Sequence, residues 1–252
     1  MNPVTRTSIY IEPDLARLTV FAKRELLRAL SERLAIQDRV SFMLSGGSTP
    51  KALFREFALS GFDWSRVDFF FSDERNVPFT DPQNNSGMSN ETFFKPAGIS
   101  LSQVFRIEGE KDAKAAAQLY HTCLTNYFAK RGVAANFDIC LLGMGNDGHT
   151  ASLFPDTEWQ LSDGLMAQAF HVPTVDTWRI SVSLDTLRRS SATYVLAAGA
   201  EKMKVAREAL RLAPVSRELL PIEAITPTNG TLTWLLDHAA VFGEPAFQAR
   251  KN

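Results

Sequence analysis

The stretch "FDICLLGMGNDGHTASLFP", residues 137–155, begins as an apolar run and then becomes polar and rich in glycine. Residues 137–143 predict a buried strand, because short, continuously apolar runs are typical of parallel strands that are covered on both faces. The polar turn that contains Asp147 and His149 follows directly. In an open α/β sheet, ligands bind beyond the carboxyl ends of the strands. The stretch therefore predicts a parallel sheet and a functional turn at its edge.

Strand-like and helix-like segments alternate along the rest of the chain, which favours a mainly parallel sheet between helical layers, an α/β fold. Apolar or alternating runs predict further strands at 7–12, 40–44, 67–72, 104–107, 179–184 and 193–199. Apolar spacing of three or four residues predicts helices at 13–34, 50–59, 112–130, 200–211 and 232–241. Residues 73–90 are rich in turn formers and predict a long loop, a feature that is usually functional or disordered.

Composition excludes several functional classes. The 252 residues carry a formal net charge of −1, so nothing global favours nucleic acid or anionic lipid as a partner. The two cysteines, Cys123 and Cys140, lie in apolar patterns and predict core packing rather than disulfides or metal binding. The start of the chain resembles no signal peptide and no apolar run is long enough to span a membrane. We expect a soluble, cytoplasmic protein.

The first polar junction is "SGGSTP", residues 45–50, between a predicted strand and a predicted helix. Gly46 and Gly47 allow successive backbone N–H groups to turn toward one point, and the start of a helix adds positive partial charge there. This favours an anion site, most naturally for phosphate. A plain turn, with Thr49 capping the helix and Pro50 at its first position, explains the same residues equally well.

Two more junctions carry groups suited to chemistry. Asp73 and Arg75 follow the strand at 67–72, where Arg can grip a phosphate and Asp can orient a hydroxyl or a base. An exposed loop with a surface ion pair is the alternative. Asp147 and His149 follow the strand at 137–143, and histidine is the side chain most readily poised for proton transfer near neutral pH. A hydrogen-bonded structural histidine is the alternative there.

Two further positively charged residues are candidates for binding an anion. Arg179 begins a predicted strand, and Lys202 begins the helix predicted after "AAG". A cation near a helix N-terminus is disfavoured by the helix dipole, which points to a compensating bound anion, although a solvated lysine fits as well. The sequence contains no HExxH motif, paired cysteines or carboxylate cluster, so we predict no metal and no cofactor. It also lacks the G-x-S-x-G motif of serine hydrolases.

Six segments between residues 40 and 240 are distinctive in combination: "LSGGSTP", "SDERNVPFTDPQNNSGMSN", "LLGMGNDGHTASLFP", "RISVSL", "GAEKMK" and "LTWLLDHAA". They occur in the order seen in 6-phosphogluconolactonases, which the chain resembles over this range. The resemblance implies one domain over residues 1–252 with the three-layer, Rossmann-like fold of glucosamine-6-phosphate isomerase. It also implies hydrolysis of 6-phosphogluconolactone to 6-phosphogluconate in the oxidative pentose phosphate pathway, by a monomer or a small homo-oligomer.

The resemblance also implies roles for individual residues. His149 corresponds to the acid/base of the family's DGH motif, and Asp147 is the acidic residue of that motif. Arg75 corresponds to an arginine at the pocket, with Asp73 as its acidic neighbour. The phosphate-binding residues would be Ser45, Gly46, Gly47, Ser48, Thr49, Arg179 and Lys202. The chain departs from the family at Asn146, where an acidic residue is common, and we expect little consequence because Asp147 and His149 are intact.

The implied mechanism is water attack on the lactone carbonyl. His149 would take a proton from the water and return it to the departing ring oxygen, while backbone N–H groups or Arg75 stabilise the oxyanion. The partner of His149 stays open at this point, because residues two apart do not face each other on a regular helix.

Two alternatives remain from different functional classes. The first is a glucosamine-6-phosphate deaminase/isomerase, for which the sequence after DGH would resemble "IAFNEP" instead of the "TASLFP" found here. The second is a non-catalytic sugar-phosphate sensor. Such chains carry an added DNA-binding segment, whereas the first forty residues here predict one strand and one long helix.

Overall fold

A computed structural model describes residues 6–215 and 217–244 of the chain. The strands are β1 (Arg6–Glu12), β2 (Val40–Leu44), β3 (Val67–Phe71), β4 (Asp73–Arg75), β5 (Val104–Phe105), β6 (Ile139–Leu142), β7 (Ala167–Val172), β8 (Thr177–Val182), β9 (Ala192–Ala197) and β10 (Thr231–Asp237). The α-helices are α1 (Leu15–Leu34), α2 (Ser48–Ala58), α3 (Asn85–Ser89), α4 (Ala113–Arg131), α5 (Leu184–Arg188), α6 (Met203–Ala209), α7 (Pro221–Ala224) and α8 (His238–Phe242).

Seven parallel strands form the main sheet in the order β1-β10-β9-β6-β2-β3-β5. From β2 the chain proceeds outward through β3 to β5, and from β6 it proceeds in the opposite direction through β9 to β10. The direction of winding therefore reverses between β2 and β6. In doubly wound folds this reversal leaves a crevice at the carboxyl ends of the two strands. The predicted α/β class with a mainly parallel, Rossmann-like sheet is confirmed.

Local sequence explains the long helices. Asp14 caps α1 by accepting the N–H of Arg17 at 2.8 Å, and Leu18, Ala22, Leu26 and Leu30 repeat every four residues on its buried face. The α4 helix begins after a similar cap at Asp112 and ends at Gly132, which adopts the left-handed conformation that terminates many helices. The predicted ranges of both helices agree with the structure within a few residues.

A second, three-stranded antiparallel sheet with the order β4-β8-β7 was not predicted. Its middle strand, β8, lies two residues earlier than the predicted strand at 179–184. The prediction of one long loop over residues 73–90 is wrong in two places, because the segment begins with β4 and contains α3. Three-residue strands and one-turn helices are too short to give a periodic signal, and β4 is fixed by its pairing with β8.

The prediction of a helix at 232–241 is wrong. Residues 231–237 form β10, and only α8 follows as a short helix. The strand lies between β1 and β9, and Leu235 and Leu236 are completely buried there. A strand covered on both faces is apolar throughout, so its pattern cannot be distinguished from that of a buried helix by periodicity alone.

The start of α2 also differs from prediction. The residue that precedes the helix is Gly47, with φ of +106°, and no side chain caps the first turn. Thr49 therefore lies inside the helix rather than at its cap, and Pro50 is the third helical residue rather than the first. Glycine suits this position because positive φ is disfavoured for other residues. The first N–H groups of α2 are left without side-chain partners, which matters for the site below.

Tyr120 of α4 fixes the end of β3 just before Asp73. The neighbouring β5 is only two residues long and pairs with Phe69 and Phe70, so it does not reach Phe71. The Tyr120 hydroxyl occupies that position, donating to the Phe71 carbonyl at 2.9 Å and accepting its N–H at 2.9 Å. A side chain thus replaces a missing strand partner at the edge of the sheet.

We predict that Tyr120→Phe lowers the free energy of unfolding by about 1–3 kcal/mol, because it leaves buried backbone groups of Phe71 unpaired. The matched control is Tyr10→Phe, since Tyr10 is 40% exposed on β1 and should change stability little. Urea unfolding of both variants measures the effect. Equal stability of Tyr120→Phe and wild type would show that this hydroxyl does not hold the end of β3.

Candidate active site

Two polar loops meet where the winding of the sheet reverses. Residues 45–49 follow β2 and residues 143–150 follow β6, its neighbour. They border a cavity of about 460 Å³, which the loop after β9 closes on another side. The predicted site residues that line it are Ser45, Gly46, Gly47, Ser48, Thr49, Asp73, Arg75, His149 and Lys202. Segments far apart in sequence thus meet at the carboxyl ends of four parallel strands.

A second cavity of about 380 Å³ adjoins the first. Asp73, Arg75 and His149 line both cavities, whereas Asp147 and Arg179 line only the second. Every predicted site residue therefore borders one of these two spaces. The structure does not place Arg179 and Lys202 in the same cavity, although the sequence suggested a shared role for them.

The turn that carries His149 depends on two glycines. Gly148 has φ of +86°, and a Cβ added there would overlap the side chain of Leu220. A Cβ added at Gly145 would overlap the imidazole of His149, so the ring lies directly against this glycine backbone. The Gly145 N–H closes the turn by donating to the carbonyl of His149 at 2.8 Å, and Ile222 N–H donates to the Gly148 carbonyl at 3.1 Å. The two glycines therefore determine the position of the His149 side chain.

Asp147 is the partner of His149 that the sequence left open. Its Oδ1 lies 2.6 Å from Nδ1 of His149 and also accepts the His149 backbone N–H at 3.1 Å. Residues two apart can meet here because they lie in a turn and not in a helix. Burial opposes the charged form of Asp147, but its hydrogen bonds from His149 outweigh burial and lower the pKa of the carboxyl.

This contact fixes the direction of the imidazole ring. Because Nδ1 is engaged by Asp147, Nε2 is the nitrogen available to the cavities that His149 lines. Phe154 stacks on the ring with centroids 4.2 Å apart, and this holds the ring plane. A histidine with one nitrogen bound to a carboxylate and the other free is suited to act as a general base.

The loop after β2 has the features of an anion site. The first turn of α2 lacks a side-chain cap, so its backbone N–H groups are available to a ligand. The helix has eleven residues, and its dipole adds positive partial charge at this end. The structure excludes the capped turn that the sequence offered as an alternative, because no side chain caps this helix, and the anion site stays a prediction.

Two arginines lie opposite each other at the wall of the site. Arg75 of β4 and Arg179 of β8 are direct partners in the antiparallel pairing, which places both side chains on the same face of the small sheet. Like charges in this position are destabilising. Burial and then the charge of Arg75 lower the pKa of Arg179, while the carboxylates of Asp73 and Glu74 act in the other direction. An anion bound between the cavities would relieve the repulsion between the two arginines.

Lys202 supplies a third cation, in the cavity that Arg179 does not line. Its Nζ donates to Oδ1 of Asn146 at 2.6 Å, a contact that orients the ammonium group without neutralising it. Burial lowers the pKa of Lys202, while the nearby carboxylates of Glu201 and Asp147 act in the other direction. Asn146 is therefore a neutral partner of Lys202.

Sequence reasoning missed Glu74, a buried acidic residue next to the predicted candidate Asp73. Asp73, predicted as a catalytic candidate, is buried and accepts from the hydroxyl of Ser152 at 2.7 Å. Its neighbour Glu74 is completely buried and accepts backbone N–H groups, including that of Asn85 at 2.7 Å. Successive side chains of a strand point to opposite faces, so Glu74 lies on the opposite face from Asp73 and Arg75. This alternation is the sequence signal that could have identified Glu74 as a buried residue.

Two kinds of feature are absent from the described residues. Among residues 6–215 and 217–244, no group of three or more His, Cys, Asp or Glu side chains is arranged to hold a metal ion. Within the same ranges, no helix is both long enough and apolar enough to cross a bilayer.

Comparison with known proteins agrees with the geometry. The family model described as "Glucosamine-6-phosphate isomerases/6-phosphogluconolactonase" matches residues 13–234. The chain belongs to this family. The match covers both loops of the site, the small sheet and the strands of the main sheet apart from β1 and the end of β10. The resemblance inferred from the six motifs is thereby confirmed at the level of the family.

Members of the family resemble the chain over most of its length. The 6-phosphogluconolactonase of Treponema pallidum is 38% identical over 182 residues, which are 70% of this chain and 75% of that protein. The 6-phosphogluconolactonase of Mycobacterium leprae is 31% identical, over 92% of this chain and 96% of the other. The crystal structure of 6-phosphogluconolactonase from Leishmania guyanensis superposes with a TM-score of 0.81 and 30% identity, covering 96% of this chain and 99% of that one.

Glu74 should make the stability of the fold depend on pH. Burial raises the pKa of Glu74 to about 7, although hydrogen bonds from the N–H groups of Asn85, Ser86 and Arg75 oppose this. The folded protein thus keeps this proton to higher pH than the unfolded chain. The resulting stabilisation is complete below pH 4.5, the ordinary value for Glu, and is lost as pH rises through about 7.

We predict that the free energy of unfolding of wild type, relative to Glu74→Gln, falls by on the order of 2 kcal/mol between pH 5 and pH 8. Glutamine cannot titrate, so the difference isolates this carboxyl. Urea unfolding of both proteins at the two pH values measures it. A difference that stays constant over this range would mean that Glu74 is ionised throughout.

Proposed function

We propose that this protein hydrolyses 6-phospho-D-glucono-1,5-lactone to 6-phospho-D-gluconate, as a cytoplasmic enzyme of the oxidative pentose phosphate pathway. One observation carries the proposal. A histidine oriented by an aspartate lines a cavity that is also bordered by an uncapped helix start and by two cations, Arg75 and Lys202. A proton carrier beside an anion site suits a phosphorylated substrate. Membership of the family and the names of its relatives support this substrate.

Binding would be governed by the anionic phosphate of the lactone. The N–H groups at the start of α2 can donate to phosphate oxygens, and Lys202 and Arg75 can neutralise their charge. Arg179 can reach anionic or polar groups from the adjoining cavity, which His149 also borders. Charge-assisted contacts of this kind are about twice as strong as neutral hydrogen bonds. The phosphate would thus fix the position of the sugar relative to His149.

The chemical step would pass one proton through His149. A water oxygen attacks C1 of the lactone while Nε2 of His149 accepts a proton from that water. The tetrahedral oxyanion then collapses, the bond between C1 and the ring oxygen breaks, and the imidazolium returns the proton to that oxygen. Asp147 keeps the ring in the required tautomer and stabilises the imidazolium. General acid–base assistance of this kind contributes roughly 10²–10⁴-fold.

We predict that His149→Asn folds normally, still binds 6-phosphogluconate and loses roughly two to four orders of magnitude in kcat. Asparagine keeps hydrogen-bonding capacity but cannot carry the proton. The matched control is His171→Asn, because His171 also pairs with an aspartate, Asp176 at 3.1 Å, but lines neither cavity. The spontaneous hydrolysis must be subtracted. A folded His149→Asn protein with near-normal kcat would show that the histidine is structural.

We predict that Arg179→Ala and Lys202→Ala each raise KM by about 10-fold or more and change kcat less, because each removes a charge-assisted contact to the substrate. Lys204→Ala is the control, since this lysine is exposed on α6 and lines neither cavity. Steady-state kinetics on the lactone with and without its phosphate measure the effect. Wild-type kinetics in both variants, or equal activity on the two lactones, would remove these residues from the phosphate site.

A further inference from the structure

Asn85 lies between the loop after β2, residues 45–49, and Arg75 at the cavity wall. Its side chain is almost fully buried, with Oδ1 accepting from Nη1 of Arg75 and Nδ2 donating to the Asp73 carbonyl at 3.0 Å. On the other side, a Cβ added to Gly46 would overlap the amide of Asn85. One buried amide therefore contacts both the strand that carries Arg75 and the loop after β2.

Glu74 holds Asn85 in this position through the backbone. One carboxylate oxygen accepts the N–H of Asn85 at 2.7 Å, and the other accepts the N–H of Ser86 at 2.9 Å. The carboxylate also accepts the N–H of Arg75 at 3.0 Å. Glu74 thereby ties the start of α3 to β4, and the side chain of Asn85 returns across the same strand to reach Arg75.

The like charge of Arg179 explains why Arg75 needs such a partner. The two guanidinium groups extend from directly opposed residues, so repulsion favours rotation of the flexible Arg75 side chain away from the site. A fixed acceptor on Nη1 opposes that rotation. A neutral amide does this without cancelling the positive charge that an anionic substrate would meet, whereas a carboxylate in its place would form an ion pair with Arg75.

We propose that Asn85 is a positioning residue that holds the Arg75 guanidinium toward the anionic group of the substrate, and that Glu74 positions Asn85. This rests on the proposed function in one respect, the role of Arg75 as a cation that binds the substrate. Asn85 lines neither of the two cavities that His149 borders, and it reaches only a smaller space of about 220 Å³ beside Arg75. Gly46 is required at its position because any side chain there would displace the amide.

The first test compares Asn85, the first residue of the short helix α3, with Asn84, the residue that caps it. Asn85→Ala should weaken binding of 6-phosphogluconate about tenfold and raise KM by a similar factor, with a smaller change in kcat. Asn84→Ala is the control, because Asn84 is equally buried and caps α3 through the N–H of Gly87 at 2.7 Å without contacting Arg75. Calorimetric titration with 6-phosphogluconate measures affinity, and urea unfolding checks that both variants fold.

A double-mutant cycle separates positioning from a general structural effect. In an Arg75→Ala background, Asn85→Ala should cause no further loss of affinity, because the residue through which it acts is absent. Asn85→Asp provides a nearly isosteric variant should the alanine variant fail to fold. It should weaken binding as well, since the new carboxylate competes with the substrate for Arg75, and this loss too should vanish without Arg75.

The outcomes distinguish this inference from the proposed function. Unchanged affinity in a folded Asn85→Ala, or an equal loss with and without Arg75, would overturn the positioning role while leaving lactone hydrolysis intact. If Arg75→Ala alone leaves affinity unchanged, the role assigned to Arg75 in the proposed function fails, and the positioning role fails with it. An equal loss of affinity in Asn84→Ala and Asn85→Ala would also overturn the inference, because it would reflect the stability of α3.

Discussion

The pairing of β2 with β6 in the middle of the parallel sheet is the constraint on which the site depends. Parallel strands that run side by side end at the same edge, so residues 45–49 and 143–150 must emerge together. One loop brings an uncapped helix start, and the other brings His149 held by Asp147. The proposed anion site and the proposed general base, His149, thus become neighbours through backbone topology.

The small antiparallel sheet adds a second constraint, which is electrostatic. It places Arg75 opposite Arg179, an arrangement that costs stability in the absence of an anion. The hydrogen bonds of Lys202 and Arg75 do not neutralise their positive charges, because their acceptors are the neutral amides of Asn146 and Asn85. Proteins commonly tolerate an unfavourable interaction at a site where their function requires it. The charge arrangement favours an anionic ligand independently of family resemblance.

Much of the main sheet could be predicted from sequence, because buried parallel strands and amphipathic helices impose patterns over many residues. The turn that carries His149 was also visible, since its glycines and the histidine directly follow one such strand. Residues 232–241 were misread as a helix because a strand buried on both faces has no alternation. The roles of Glu74 and Asn85 could not be foreseen, because they arise from hydrogen bonds between β4 and α3, elements too short to leave a periodic signal.

Hydrolysis of a phosphorylated lactone is the activity that we propose for this site. The most direct measurement generates 6-phosphogluconolactone from glucose 6-phosphate in place and follows its disappearance against the spontaneous reaction. We expect loss of the lactone at a rate proportional to protein concentration and well above background. Loss at the spontaneous rate would contradict the account. In that case, ammonia release from glucosamine 6-phosphate would indicate the deaminase, and sugar-phosphate binding without turnover of either compound would indicate a sensor.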